Sequence, residues 1–429
     1  MSDYFGNTKK GIFDLSDDYQ EGIKPYIWCF LVAFAVITVC SGNSFLYVFI
    51  PLSDTKDSFS VGKTIFGELV PYRDVYAEKG VLLYFIYGLA SLISAGNFRG
   101  VFVMEVIAAF FSLLAILKTY QLFLEPRSFP YILTPITGAV IYSAFNFSWG
   151  GSAEEFIFPF IMWGMYFSLR YFRLSYPDSM DYKIVLLTGI LAGCVLNLRL
   201  NSLWFFLGWM VMVFFADIIG ERNVTKAVLS CFVFIGGMVL ATIPWIIYLG
   251  VNHAIDDWFR MYIYRSVFEP FQHSSIGERV AAFGTVIESH CLNNRLIFIF
   301  VILGIVYFIA SGISSQLYED RNSLVKRNRI FVEVSIIELI NPVVLFVLLL
   351  IGLFIWGAGL DESSFPLNGF ALFGFIPFCY IIEKFLKSRI ERNTHGRNYD
   401  GAILEASLAF AISIVSFLAS IVVAWLILH

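Results

Sequence analysis

The stretch that decides the fold is GELVPYRDVYAEKGVLLYF, residues 67–85, in which a charged segment runs directly into an apolar one. The charged side chains of its first part are Glu68, Arg73, Asp74, Glu78 and Lys79. From Gly80 to Phe85 there is no charge. Because a charge inside hydrocarbon is unfavourable by about 2.5–3.5 kcal/mol, this boundary is typical of a chain that meets a membrane surface.

The composition of the whole chain indicates a membrane protein. Of its 429 residues, 58% are hydrophobic and only 14% are charged, whereas soluble globular proteins carry about 25% charged residues. A chain in hydrocarbon pairs its backbone polar groups within helices, so we predict an all-α integral membrane fold. The net charge of −4 gives no reason to expect a nucleic-acid partner.

Twelve charge-poor runs are candidates for membrane helices. They lie near residues 26–50, 80–98, 100–117, 128–148, 156–169, 184–198, 200–216, 227–250, 296–313, 335–358, 363–382 and 405–428. Lys and Arg prefer the cytoplasmic side of a membrane. The basic clusters between the runs can all lie on that side only if the run 80–98 does not cross the membrane. We therefore predict about 11 transmembrane helices plus an interfacial or re-entrant helix near 80–98 in the first outer loop.

This arrangement predicts the domain organisation and the location in the cell membrane. Residues 1–24 form a cytoplasmic N-terminal segment, and residues 25–429 form a single polytopic transmembrane domain. Long outer loops then span residues 51–99 and 251–294. The cytoplasmic loops are short and carry no Walker or Rossmann pattern, so they leave no place for a nucleotide-binding domain.

The predicted outer face collects carboxylates. Asp54 and Asp57 follow the first span, and Glu154 and Glu155 open a later helix. Two interpretations of the glutamates stay open. They are interfacial acids favoured by the helix dipole, or one of them shares a metal ion, a sugar hydroxyl or a proton with an aspartate.

Basic residues accompany these carboxylates. Glu78 and Lys79, just before an apolar helix, suit a phosphate at the membrane surface because lysine supplies a point charge, although an interfacial anchor has the same pattern. Arg199 lies between two short apolar runs and indicates either the wall of a cavity or the tip of a helical hairpin. The sequence contains neither the zinc-site spacing HExxH nor a GxSxG elbow.

Several stretches resemble membrane glycosyltransferases of the GT-C fold, whose better-known relatives are the aminoarabinose and protein O-mannosyl transferases. SDTKDSFSVGKTIFGELVPYRDVYAEKGVLLYFIYGLASLIS, residues 53–94, is similar to the first outer loop of bacterial members. GGSAEEFIFPFIMWGMYFSLRYF, residues 150–172, is similar to the second outer-loop motif. LNLRLNSLWF, residues 196–205, resembles an Arg-Leu-Asn segment, and TIPWIIYLGVNHAIDDWFRMYIY, residues 242–264, resembles a later loop. The resemblance covers roughly residues 40–275 and implies a GT-C-like bundle.

The resemblance implies an inverting hexosyl- or pentosyltransferase. Such an enzyme moves a sugar from a polyprenyl-phosphate-linked donor to a cell-surface glycan, teichoic acid, lipid or protein acceptor on the outer face of the membrane. The implied catalytic residues are Asp54 or Asp57, Glu154 and Glu155. The residues implied to handle the lipid phosphate are Arg73, Asp74, Glu78, Lys79 and Arg199. A divalent metal, Mg²⁺ or Mn²⁺, held by Asp54 and Glu154 is left open.

The choice between the two aspartates also stays open. The spacing from Asp54 to Phe59 is one residue longer than in the family pattern, which would bring Asp57 into the catalytic position. Val81 also stands where the family usually has proline.

Two other functions use similar residues. A transporter or flippase of lipid-linked glycans needs charged groups near the middle of the membrane, whereas the acids here lie at the ends of the predicted spans. A polymerase of lipid-linked glycans is expected to rely on outer loops rich in Arg and His. The acidic clusters favour the transferase.

Overall fold

The computed structural model describes residues 22–47, 53–124, 129–268, 275–319, 334–355, 363–379 and 398–428. In these ranges every one of the twelve apolar runs lies on a helix. The same ranges contain no β-strand, only an isolated bridge between Pro71 and Val75. The prediction of an all-α fold is confirmed for this part of the chain.

The α-helices, numbered along the chain, are α1 (Lys24–Cys40), α2 (Ser53–Thr64), α3 (Val81–Ile93), α4 (Arg99–Phe123), α5 (Phe129–Tyr142), α6 (Ala153–Leu174), α7 (Tyr182–Leu196), α8 (Leu203–Gly220), α9 (Val224–Val251), α10 (Ile255–Trp258), α11 (Arg265–Val267), α12 (Ile276–Asn293), α13 (Arg295–Glu319), α14 (Ile336–Ile355) and α15 (Asn398–Leu428). A π-helical turn, Phe259–Tyr264, joins α10 to α11. A 3-10 turn, Phe365–Ala371, begins a helix that ends at Cys379.

Six helices in the described ranges are long and apolar enough to cross a membrane. They are Arg99–Phe123, Leu200–Gly220, Val224–Val251, Arg295–Ile313, Ile336–Leu353 and Ala411–Leu428. α3 has 13 residues and is therefore only about 20 Å long, shorter than a hydrocarbon core of about 30 Å. The helices α5 and α7, which we predict to cross, have only 14 and 15 residues, so length does not distinguish them from α3. That the run 80–98 does not cross and that there are about 11 spans both stay predictions.

Two regions that the sequence predicted as outer loops contain helices. α2 and α3 lie within residues 51–99, and α10 to α12 lie within residues 251–294. α2 lacks the continuous apolarity of a span, yet Thr55, Ser58 and Phe59 on one of its faces are buried. It packs closely on α3, because a Cβ on Gly62 would lie 2.9 Å from the backbone nitrogen of Gly88.

The first helix ends earlier than the sequence predicted. We expected a helix over residues 26–50, but α1 stops at Cys40. The polar residues that follow form hydrogen bonds with a neighbouring helix instead of continuing α1: Ser41 and Asn43 both donate to the side chain of Glu105.

The helix α4 lies at the centre of the described bundle. α1, α3, α5 and α6 all pack against it. Most of its side chains are buried, including the carboxylate of Glu105. A buried carboxylate is tolerated only where polar groups surround it, so Glu105 marks a polar site inside an apolar bundle.

The helices α7 and α9 pack with their backbones in close contact. A Cβ on Gly189 would overlap the backbone of Phe234, and one on Gly237 would overlap the carbonyl of Leu186. At the neighbouring Gly236, a Cβ would have nothing within 4 Å. Small residues thus allow the close approach that helices in membranes use for association.

This packing predicts opposite effects for two adjacent substitutions. Gly237→Ala is expected to lower the free energy of unfolding by about 1–3 kcal/mol, because the added methyl overpacks the interface. Gly236→Ala is expected to be neutral or stabilising by up to about 1 kcal/mol, since alanine has the higher helix propensity. Thermal unfolding in detergent measures both, and equal effects of the two changes would contradict the packing described.

Connections between the helices gather several turns at one end of the bundle. Gly42 N–H donates to the carbonyl of Trp149 over 2.9 Å, and Gly80 N–H donates to the carbonyl of Leu198 over 3.0 Å. The backbone of Asn146 donates to the side chain of Asn294 over 3.2 Å. We call this end, which includes the turns after α1, α5 and α7, the site end.

Candidate functional site

A left-handed turn stands at the centre of the site end. Four consecutive residues, Ser148, Trp149, Gly150 and Gly151, have φ angles of 50°, 65°, 82° and 78°. Positive φ is uncommon for residues other than glycine, and such backbone strain clusters at functional sites. The turn is held by the hydrogen bond from Gly42 to Trp149 and by Gly150 N–H, which donates to the carbonyl of Phe147 over 3.0 Å.

Two fully buried carboxylates from different helices flank this turn. Glu105 of α4 accepts from the Asn43 amide over 2.6 Å and from the Ser41 hydroxyl over 2.5 Å. Glu155 of α6 accepts from Gly151 N–H over 2.8 Å through Oε2. Its other oxygen, Oε1, has no hydrogen-bond partner among the described residues. This oxygen is therefore available to a proton or a buried cation.

The two glycines let the turn come close to the carboxylates. A Cβ on Gly150 would lie 2.7 Å from Oε1 of Glu105, and a Cβ on Gly151 would lie 2.5 Å from the hydroxyl of Thr55. Thr55 stands in the first turn of α2, so the start of α2 abuts the turn beside Glu155.

The two candidate aspartates differ in their positions on α2. Asp54 directly precedes Thr55 in the first turn of the helix, and its side chain lies outside the described residues. Asp57 is exposed, on a different face from the buried Thr55 and Ser58. The structure therefore brings Thr55, which follows Asp54, against the turn beside Glu155, whereas Asp57 is exposed.

Glu154 and Arg199, which the sequence placed on separate features, form an ion pair. Glu154 is the second residue of α6 and is 2% exposed, whereas the Arg199 side chain, in the turn between α7 and α8, is 27% exposed. A buried carboxylate requires a partner, and the arginine supplies it while keeping part of its guanidinium accessible.

The Lys79 backbone lies beside Arg199. Gly80 and Leu82 donate to the carbonyls of Leu198 and Asn197, each over 3.0 Å. A Cβ on Gly80 would overlap the carbonyl of Asn197, so only glycine permits this approach. The segment that contains Lys79 is thus joined to the turn that carries Arg199.

Aromatic hydroxyls fix the same segment from the other side. Tyr84 accepts from the backbone N–H groups of Glu78 and Lys79, each over 3.1 Å. The Tyr72 hydroxyl donates to the Lys79 carbonyl over 2.5 Å. The Glu78 side chain is exposed and accepts from the Tyr76 hydroxyl over 3.3 Å. The backbone of residues 78–80 is therefore held in place next to the ion pair.

Arg73 and Asp74 have partners that stabilise the loop. Arg73 donates to both carboxylate oxygens of Asp74, over 2.9 and 2.8 Å, and to the carbonyl of Asn252 over 2.7 Å. Val70 N–H donates to Asp74 over 2.9 Å. The pair thus connects the loop before α3 to the end of α9. Binding of a phosphate by these two residues stays a prediction.

The Arg73–Asp74 contact predicts a pH dependence. Hydrogen bonds from Arg73 and from Val70 N–H lower the pKa of Asp74 to about 2. A carboxylate whose pKa is lowered on folding stabilises the folded loop above the ordinary pKa of about 3.9 and loses this contribution as the pH falls toward about 2. We expect pepsin to cleave Asp74→Asn in this loop faster than the parent near pH 4, and the difference to disappear as the pH approaches 2. A difference that persists unchanged at the lower pH would contradict the assignment.

An apolar groove of about 460 Å³ begins next to Arg199. It lies between α8 and α9, and residues of α11 border it. Its lining includes Leu200, Trp204, Leu207, Met210, Phe234 and Val267. A groove of this volume is within the range of ligand sites, and Leu200, one of its lining residues, directly follows Arg199 in the chain.

The described residues offer only a partial set of metal ligands. No group of three or more His, Cys, Asp or Glu side chains is close enough to hold a metal ion in the described ranges. Glu105, Glu155 and the Asn43 carbonyl oxygen are hard oxygen donors of the kind that Mg²⁺ and Mn²⁺ prefer. Oε1 of Glu155 and Oδ1 of Asn43 are buried without a partner in this part of the chain.

Sequence reasoning missed Glu105 and its partners Ser41 and Asn43. Glu105 lies within the run 100–117, which was treated only as a charge-poor span. The signal was present, because an ionisable residue inside a membrane helix is by default a functional candidate. Glu105 lies near Glu155 because α4 packs on α6, and no local sequence pattern predicts this packing.

Comparisons with known proteins give one structural similarity. No protein-family model and no curated protein matches the chain. Among solved structures, the archaeal oligosaccharyltransferase AglB from Archaeoglobus fulgidus, in complex with an inhibitory peptide and a dolichol-phosphate, is similar with 14% sequence identity and a TM-score of 0.48. The alignment covers 94% of this chain and 56% of that one, so the chain spans about half the length of AglB.

The composition and the six long apolar helices define the class: an all-helical membrane protein. Its site combines two fully buried carboxylates, a carboxylate–arginine pair and an apolar groove at one end of the bundle.

Proposed function

We propose that this protein is a membrane glycosyltransferase of the GT-C type. It transfers a sugar from a polyprenyl-phosphate-linked donor to a cell-surface glycan, teichoic acid, lipid or protein acceptor on the outer face of the cell membrane. The observation that carries the proposal is the ion pair between Arg199 and the buried Glu154, because the residue after Arg199 in the chain, Leu200, lines the apolar groove.

The groove and the basic residues suit the two parts of such a donor. A prenyl chain enters the groove from the lipid, which is equally apolar, so the groove favours the chain through packing contacts and not through the hydrophobic effect. Its phosphate then lies at the end of the groove, where Arg199 supplies a planar set of N–H donors and Lys79 supplies a point charge. These cations stabilise the negative charge that develops on the departing phosphate.

The acceptor side uses the carboxylates. The acceptor hydroxyl must lose a proton as it attacks the sugar, and a positioned carboxylate takes that proton. We propose Asp54 for this role and not Asp57, because the start of α2 abuts the turn beside Glu155, whereas Asp57 is exposed. Glu154 orients Arg199, and Glu155 presents its unpartnered Oε1 beside the turn. A single displacement of the phosphate inverts the anomeric configuration.

A divalent cation fits part of this site. Glu105, Glu155 and Asn43 supply oxygen donors, and we propose Asp54, at the start of α2, as an additional ligand. Glu154, the other ligand that the resemblance implies, is already paired with Arg199. When bound, Mg²⁺ or Mn²⁺ would supply positive charge for the phosphate. Arg199 and Lys79 bind the phosphate, and Asp54 takes the proton of the acceptor hydroxyl.

The topology is part of the proposal. Residues 25–429 act as one domain with the N-terminus in the cytoplasm and the site end outside. The basic residues between the other ends of the helices, such as Arg173, Lys183, Arg222 and Lys226, are then cytoplasmic, as Lys and Arg prefer.

Binding of a polyprenyl phosphate tests the proposal. Leu207 lines the groove, whereas Leu240 is exposed on α9 away from it. In lipid nanodiscs, Leu207→Trp is expected to weaken binding of undecaprenyl phosphate at least about tenfold, because the indole occupies the space of the chain; a tenfold change is about 1.4 kcal/mol. Leu240→Trp, the matched control, is expected to bind like the parent. Equal affinity of both variants would contradict a donor in this groove.

A further inference from the structure

A second cavity, of about 660 Å³, lies on the other side of the left-handed turn. The ends of α5 and α15, the turn at residues 143–149 and the junction of α12 and α13 form its walls. Its lining combines the aromatic residues Phe145 and Trp149 with Ser143, Ser148, Asn293 and Arg295. It is separate from the apolar groove, because the two share no lining residue.

The chemistry of this lining is mixed. Phe145 is 59% exposed and presents an aromatic surface. Serine hydroxyls and the Asn293 amide both donate and accept hydrogen bonds, and the guanidinium of Arg295 donates several. An apolar wall with a few polar groups that fix orientation is typical of small-molecule sites. A ligand with flat apolar faces and many hydroxyl groups satisfies both kinds of wall.

One polar group in the wall lacks a partner. Ser143 is 2% exposed, and its hydroxyl forms no hydrogen bond with any of the residues that the structure describes. A buried polar group without a partner is unfavourable. Because this hydroxyl is shielded from solvent, the polar groups that a ligand reaches are those of the exposed residues Asn293 and Arg295.

The cavity is connected to the carboxylates through the turn. Trp149 lines the cavity, and the next residue, Gly150, would place a Cβ 2.7 Å from Glu105. Gly151 donates to Glu155. A ligand seated against Trp149 therefore ends close to the residues proposed to activate an acceptor hydroxyl.

We infer that this cavity binds the acceptor and that the acceptor is a carbohydrate chain. The inference rests on the proposed function and narrows its acceptor from four classes to one. The sugar rings pack on Phe145 and Trp149, and Asn293 and Arg295 hold their hydroxyl groups.

Direct binding of short glycans to the intact protein tests the inference. Maltotriose, cellotriose and chitotriose are titrated onto the protein in nanodiscs without donor, and saturation-transfer NMR measures each dissociation constant. At least one glycan is expected to bind saturably. Phe145→Ala and Arg295→Gln, which change exposed side chains, are each expected to weaken that binding about tenfold, or about 1.4 kcal/mol. Leu207→Trp in the groove is expected to leave it unchanged.

The outcomes separate this inference from the proposed function. No saturable binding of any of the three glycans, binding insensitive to both substitutions, or preferred binding of a serine-rich hexapeptide overturns the carbohydrate site. If undecaprenyl phosphate still binds through the groove in that case, the proposed function stands and only the acceptor site fails. If a glycan binds at the cavity but the lipid phosphate does not bind, the transferase fails and the cavity remains a glycan site.

Discussion

Asp54→Asn is expected to lower the rate of sugar transfer by about 10²–10⁴-fold, the usual contribution of a positioned general base. The amide keeps the size of the side chain but cannot take the proton of the acceptor hydroxyl. The binding of the donor lipid is expected to be unchanged, since the described residues that line the apolar groove lie between Leu200 and Val267 in the chain. The loss should therefore appear in kcat with little change in KM for the donor.

The same helix offers the matched control. Asp57→Asn makes the same chemical change three residues away, on an exposed part of α2, and is expected to leave kcat close to that of the parent. Steady-state transfer by purified protein at equal folded fraction measures both variants. A large loss in Asp57→Asn together with an active Asp54→Asn would reverse the assignment of the base.

Arg199→Gln is expected to have the second large effect, on stability as well as on transfer. The change leaves Glu154 buried with no cationic partner in this pair, and breaking a buried pair in this way costs about 3–5 kcal/mol. Because part of Arg199 is exposed, solvent weakens the interaction, and we expect about 3 kcal/mol, the lower end of that range. Chemical denaturation in detergent measures the change.

Two further variants isolate the cause of this effect. The double variant Glu154→Gln and Arg199→Gln removes both charges and is expected to recover most of the lost stability, but not the transfer activity, since the phosphate still lacks its arginine. Arg73→Gln removes an exposed arginine from a surface pair and is expected to change stability by at most about 1 kcal/mol. Comparable losses in Arg73→Gln and Arg199→Gln would show that burial of Glu154 is not the cause.

The sequence predicted the helices well and their ends less well. Apolar runs such as 227–250 identify helices directly, because hydrocarbon leaves the backbone no other way to satisfy its polar groups. The end of α1 at Cys40 was not predictable from apolarity, since it depends on hydrogen bonds from Ser41 and Asn43 to a residue in α4. α2 was missed because its helical face is buried against α3 and its sequence is polar.

The candidate site was predictable as a set of residues but not as a geometry. Glu154, Glu155 and Arg199 were each identified from charges at the ends of apolar runs. In the structure, Glu154 pairs with Arg199, whereas Glu155 lies near Glu105. Both arrangements depend on contacts between residues far apart in the chain. Only the packing of α4, α6 and the α7–α8 turn determines which acid faces which partner.

The most direct test of the account is glycan transfer in membranes that contain the protein. Asp54→Asn, Asp57→Asn, Glu154→Gln and Lys79→Ala are compared with the parent at matched expression, with a polyprenyl-phosphate sugar as donor. The account predicts that Asp54→Asn abolishes product while Asp57→Asn preserves it, with Glu154→Gln and Lys79→Ala reduced. Full retention of transfer in all four variants, with folding intact, would contradict the proposed site.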